Sequence, residues 1–307
     1  MLSYELFKDA IKESLMDYLT LPENFGNCKP VITRQTKVNQ EYDAIALVPE
    51  DKGSNEKLFV SPSINILTSY EDYTKDGDFT KVCRRLADLF EHHLKAANNI
   101  GASLDLTTML ENIVPQLIDA KNTELLEKMP HRLVFDDKLA VVYRWIVDMG
   151  EADGTMKSSL VTKTMFESLG LSEAELYEVA MKNNERLLPG TIESMNDVLK
   201  RLGGIADEIV DELYPMYIVS NAREFNGAIS ILYKNALTHL AEELKGDFYI
   251  LPSSIHEVIC VPVAAGDAEM FIDMVQEVNG TEVLPEERLC DTAFMYHSET
   301  GEITVAE

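Results

Sequence analysis

The sequence lacks both common phosphate cradles: there is no GxxxxGKS/T and no GxGxxG, so no glycine-rich turn is set up to present consecutive N–H groups to a nucleotide. GxSxG is also missing, which removes the strained nucleophile elbow of the α/β-hydrolases. Cys28, Cys83, Cys260 and Cys290 are far apart and form no CxxC pair, so neither a zinc knuckle nor a thioredoxin-like centre is encoded; buried, reduced thiols are expected. Bases are scarce, 27 lysines and arginines against 53 acids, and the resulting charge of -26 repels nucleic-acid phosphates. The densest basic group, Lys81, Arg84 and Arg85, is answered by Asp88 and Glu91 at helical spacing and reads as an ion-paired exposed face. No segment approaches the roughly 20 apolar residues of a membrane span. The opening MLSYELFKDAIKESL carries acids where a secretory leader carries bases, so a cytoplasmic protein is expected.

What is present is ample material for a core: 307 residues, 46% of them hydrophobic, too apolar for an acidic disordered chain. Apolar residues recur at helical spacing over Tyr4 to Tyr18, behind Ser3 as N-cap, and again over Phe79 to Ala97. Val31 to Thr36, Tyr42 to Val48 and Leu58 to Leu67 read as strands, with Pro62 placing the third at an edge or a bulge. The charged YEDYTKDGDF stretch reads as their link to the second helix. In the middle, LAVVYRWIV at Leu139 to Val147 reads as a central strand with a partner at Met156 to Val161. Ser172 and Glu175 form a capping box, LLPG is a loop, and Thr191 to Leu202 reads as helical. Between Tyr214 and Pro262, MYIVSN and GAISILY flank the Asn226-Gly227 turn signal as a hairpin, followed by a helix and FYILPSSIHEVICVP as a returning strand. Ala268 to Val278 is a further helix, and a final hairpin turns at Thr300-Gly301.

These elements give an α+β fold of mixed helix and antiparallel-sheet modules, with helices packed on small sheets. Three domains are expected: an N-terminal α+β domain over residues 1–100, a mainly helical middle over 101–210 with a short hairpin, and a C-terminal α+β domain over 211–307. From Gly246 onward there are 13 acids and a single base, Arg288, so the negative charge is concentrated at that end.

Chemistry-bearing residues gather in two loops. Ser253, Ser254, His256 and Glu257 follow Pro252; His256-Glu257 begins like HExxH, but Cys260 stands where the second imidazole would be. His131 and Arg132 follow Pro130 and precede Asp136-Asp137. Ordinary turn bonding and ion pairing account for both loops. A hydrolase would instead use Ser254 as nucleophile, His256 as base, with Glu257 beside it, and would draw on Ser253, His131 and Arg132 for binding. Glu269, Asp273 and Glu277 form an acidic stripe four residues apart, which without convergent ligands is a solvated face. Neither a metal nor an organic cofactor is expected.

Several phrases together resemble an uncharacterised bacterial family, domain-of-unknown-function family 5688: FVSPSINI from Phe59, MPHRLVFDDKLAVVYRW from Met129, LLPGTIESM from Leu187, MYIVSN from Met216, GAISILY from Gly227, FYILPSSIHEVICVP from Phe248 and EVNGTEVLPEERLCD from Glu277. The resemblance covers nearly the whole chain and implies an intracellular bacterial protein; it brings no activity with it. The leading expectation is a noncatalytic protein-binding or regulatory module whose acidic surface meets a partner with a basic one, with no nucleic acid and no membrane involved. The alternative is a small-molecule or peptide hydrolase working from a polar pocket near Ser254 and His256. Oligomeric state has no signal in the sequence.

Overall fold

In a computed structural model of the chain, the described residues are 1–21, 28–49, 62–100, 106–150, 156–201, 214–233 and 235–307. They fall in two compact units, Met1–Asp105 and Leu106–Glu307. Both combine helices with small antiparallel sheets, the expected α+β class.

The first unit begins with α1 (Tyr4–Ser14), capped by the Ser3 hydroxyl, which accepts from the Leu6 amide. Strands β1 (Cys28–Lys37) and β2 (Gln40–Pro49) pair from Cys28 opposite Pro49 to Lys37 opposite Gln40, and Asn39 takes the left-handed conformation of the turn. The expected third strand shrinks to β3 (Ile64–Asn65); the part of that expectation before residue 62 lies outside the described residues. Asn65 then caps α2 (Ile66–Asp76), a helix where a charged link was expected, and α3 (Phe79–Ile100) follows. The charge of α2 hid it: its Asp72 and Asp76 pair with Lys75 of the same helix and with Lys81 and Arg85 of α3, while Ile66 and Tyr73 are buried. Phe7, Ile11, Ile45, Leu47, Leu86 and Phe90 are central to this unit's core.

In the second unit, α4 (Leu106–Glu111) leads into β4 (Ile113–Asp119), and the short α5 (Thr123–Leu126) precedes β5 (Arg132–Val134). β6 (Leu139–Asp148) is the central strand that its hydrophobic run promised. It pairs with β4 along one edge and with β5 and β7 (Lys157–Leu160), end to end, along the other. Helix α6 (Lys163–Leu169) ends at left-handed Gly170, and α7 (Glu173–Leu187) starts at the Ser172/Glu175 capping box.

A six-stranded antiparallel sheet follows. Its strands are β8 (Gly190–Ser194), β9 (Tyr217–Asn221), β10 (Phe248–Pro252), β11 (Val258–Pro262), β12 (Phe294–His297) and β13 (Glu302–Val305), in the spatial order β13-β12-β10-β11-β9-β8. Three expectations change here. Thr191 to Ser194 is strand, and helix α8 (Met195–Arg201) begins only after it. GAISILY is a 3-10 helix over Gly227–Leu232 rather than a strand, because Asn226 turns left-handed (φ 50°) and starts a helical turn. The stretch from Phe248 to Pro262 is a hairpin, β10 and β11, with Ser253 to Glu257 as its connection. Helix α9 (Ala236–Leu244) precedes that hairpin, and α10 (Ala268–Thr281) packs Phe271 and Val275 against Tyr249 and Val261 of the sheet.

Candidate functional site

The Ser253 to Glu257 connection is tied down by its own polar groups. Ser254 Oγ accepts from the His256 amide at 3.0 Å, and the Ser254 amide donates to the Glu257 carbonyl at 3.1 Å. His256 Nδ1 accepts from the Asn226 amide at 3.1 Å, so in the neutral ring the proton sits on Nε2, which lies 3.8 Å from Glu287 Oε1. Burial holds the imidazole below its ordinary value of 6.5, against the pull of Glu287. The His256 carbonyl takes the Ser220 hydroxyl at 2.8 Å. Burial also pushes the Glu257 carboxyl up, with Glu224 adding to the shift and a Ser253 hydrogen bond opposing it. These contacts lash the β10–β11 hairpin to the turn after β9. Ser254 Oγ and His256 Nδ1 each accept from a backbone amide, and His256 Nε2 faces Glu287.

The other loop divides. His131 Nδ1 lies 3.1 Å from the Met129 carbonyl, a local turn contact. The Arg132 guanidinium lies 4.7 Å from the centre of the Tyr177 ring on α7 and borders a cavity of about 940 Å³. Ser253, Ser254, His256 and Glu257 do not border that cavity.

This cavity is the candidate site. One wall is α7, which presents Ala174, Tyr177, Glu178, Met181, Lys182 and Glu185, the i, i+3, i+4 set of one helical face. The start of β8, with Gly190, Thr191 and Ile192, also borders it, as does Val219 of β9. Ser230 and Tyr233 line it as well. A Cβ on Gly190 would lie 2.9 Å from the Tyr233 ring, so only glycine lets that ring approach the strand. Burial pushes the Tyr233 hydroxyl up to about 12, and it is bonded to the Asn184 side chain. Ser230 Oγ, fully buried at this wall, makes no well-formed hydrogen bond.

The family model that matches is described as a family of unknown function, DUF5688, and it spans residues 4–298. The chain belongs to the DUF5688 family. No curated protein and no solved structure matches it.

In this DUF5688 chain the four cysteines are free and buried, with the Cys83 thiol pushed up to about 11 and Cys290 to about 12 by burial, values far from those of reactive thiols. Among the described residues no group of three histidines, cysteines or carboxylates is arranged to hold a metal ion, and no helix is long and apolar enough to cross a membrane. Glu269, Asp273 and Glu277 lie exposed along α10, beside Met270, Met274 and Val278, which are also exposed although they share the periodicity of the buried face.

Sequence reasoning reaches Arg132 and, as one of the tyrosines recurring from Tyr214 to Tyr249, Tyr233, but it does not bring the cavity's residues together. Thr191 and Ile192, both β-branched and placed just after Pro189-Gly190, were the available signal for β8.

Proposed function

We propose that the chain is a noncatalytic binding module that captures a segment of a protein partner in the cavity between α7 and β8. The cavity's size carries this reading: about 940 Å³ lies at the upper end of ligand sites, which run to roughly 1,000 Å³, and leaves room for several residues of a peptide. Its walls offer what a peptide needs. Met181, Ile192 and Val219 supply apolar surface, and Arg132, Lys182, Glu178 and Glu185 supply charge at the rim. The chain's formal charge of -26 favours a partner segment that is basic overall.

The test is selection from a displayed random-peptide library, followed by titration of the enriched peptides. Wild type is expected to enrich a set of sequences, and Ala236→Trp, which places an indole in the cavity that Ala236 borders from the start of α9, is expected to weaken their binding at least tenfold with unchanged circular dichroism. If nothing is enriched, or Ala236→Trp binds as well as wild type, the reading fails. Cleavage of an enriched peptide that stops in Ser254→Ala would favour the hydrolase instead.

A further inference from the structure

The pairing of β8 determines which of its backbone groups are already used. It runs antiparallel to β9 with Gly190 opposite Asn221, Ile192 opposite Val219 and Ser194 opposite Tyr217. Two bonds just beyond the strand fix the phase of the ladder: the Ala222 amide donates to the Pro189 carbonyl at 2.9 Å, and the Met195 amide to the Met216 carbonyl at 2.8 Å. In an antiparallel pair the residues that exchange bonds alternate along the strand. Thr191 and Glu193 therefore bond inward to β9, and the N–H and C=O groups of Gly190, Ile192 and Ser194 point outward.

Nothing among the described residues takes up those outward groups. β8 is the last strand of the sheet, and no backbone hydrogen bond from another described residue reaches its outward amides or carbonyls. Edge strands are usually blunted by proline, lysine or a covering element, because an open row of amides is a template for another strand. Here Gly190, Thr191 and Ile192 all border the cavity. Val219, the partner of Ile192 on β9, borders it too, so the cavity lies over the face that carries Ile192, and Thr191, which alternates to the other face, brings it to the strand's edge.

We infer that the partner segment binds in extended form as a seventh strand on β8, bonded to the outward groups of Gly190 and Ile192, with a lysine or arginine reaching Glu185. This rests on the cavity being the binding site. The facing side of α7, from Ala174 to Glu185, is about 16 Å long at 1.5 Å per residue, which matches about five extended residues at 3.3 Å each. The occupant's cation is assigned to Glu185, because Arg132 and Lys182 border the same cavity as Glu178 and Glu185 and the chain's excess of acids favours a basic segment; Glu185 lies close enough to Tyr233 to raise its hydroxyl's pKa and makes no ion pair among the described residues. Strand addition reads backbone first and side chains second, so it takes up segments of varied sequence provided they carry no proline at the bonding positions.

The discriminating variant is Ile192→Pro. It deletes one outward amide and leaves the inward bonds of Thr191 and Glu193 intact, a placement that edge strands tolerate. Against the peptides selected by wild type, Ile192→Pro is expected to bind at least tenfold more weakly. The Gly190 and Ile192 amides of wild type should become protected from hydrogen exchange when peptide is bound. Glu185→Gln is expected to weaken lysine-bearing peptides several-fold and their norleucine analogues not at all. If Ala236→Trp abolishes binding and Ile192→Pro does not, strand addition is wrong and the cavity reading stands; if neither matters, both fall. A helical bound peptide overturns the inference, as does a peptide-free dimer that Ile192→Pro dissociates, since the edge would then belong to a second copy.

Discussion

Gly227 sits where three parts of the second unit meet. A Cβ there would lie 2.4 Å from Ser220 Oγ, 2.5 Å from the His256 carbonyl and 2.7 Å from the Asn221 amide, two of them backbone atoms that cannot step aside. Gly227→Ala should therefore destabilise the protein by about 3 kcal/mol, the upper range of overpacking, measurable by urea denaturation. His256 beside it is a titrating part of the same junction. Its folded pKa is depressed by burial, so the unfolded chain binds the proton more readily; stability is whole above 6.5 and declines as pH falls through that value toward the folded one. His256→Asn, which retains an acceptor for the Asn226 amide, should lose this share of the pH dependence. The check is the difference in unfolding free energy between wild type and variant at pH 7.5 and just below 6. Of this junction the sequence reveals only the Asn-Gly turn signal, because His256 and Asn226 are 30 residues apart and their bond is a product of strand pairing.

Elements show the same division between local and distant causes. The capping box of α7, the left-handed stop at Gly170, the β1–β2 hairpin and the central position of β6 all follow from neighbouring residues or from one apolar run, and all are legible. Ser172→Ala should accordingly cost about 1 kcal/mol, the usual worth of an N-cap, seen as a lowered urea midpoint. β8 and the 3-10 helix after Asn226 are not legible. Five residues of strand become so only by lying beside β9, and GAISIL is as apolar as a strand but is buried as a helical turn, with Gly227, Ala228, Ile229, Ser230 and Ile231 all enclosed. The candidate site inherits that opacity. Its lining comes from β5, α7, β8, β9, the 3-10 helix after Asn226 and the start of α9, and the sequence marks little of it beyond the charge of Arg132 and the aromatic ring of Tyr233.

At the scale of the whole molecule, charge governs encounter. With 53 acids and 27 bases, the basic segment proposed above would be drawn in from beyond contact distance, and salt would remove that attraction as the screening length falls from about 10 Å at 0.1 M to about 3 Å at 1 M. The association rate of a selected lysine-bearing peptide should drop at least tenfold between those salt concentrations in stopped-flow measurements, with the dissociation rate changing far less.

The edge of β8, open among the described residues, has a consequence for the protein at rest. Two copies of one edge can always be laid antiparallel about a twofold axis, so the groups assigned above to a partner strand are equally able to stitch the molecule to itself. What opposes this in a chain with an isoelectric point near 4.5 is mutual repulsion. Storage close to that pH, or in concentrated salt, removes the safeguard, and β8 is where self-association would begin.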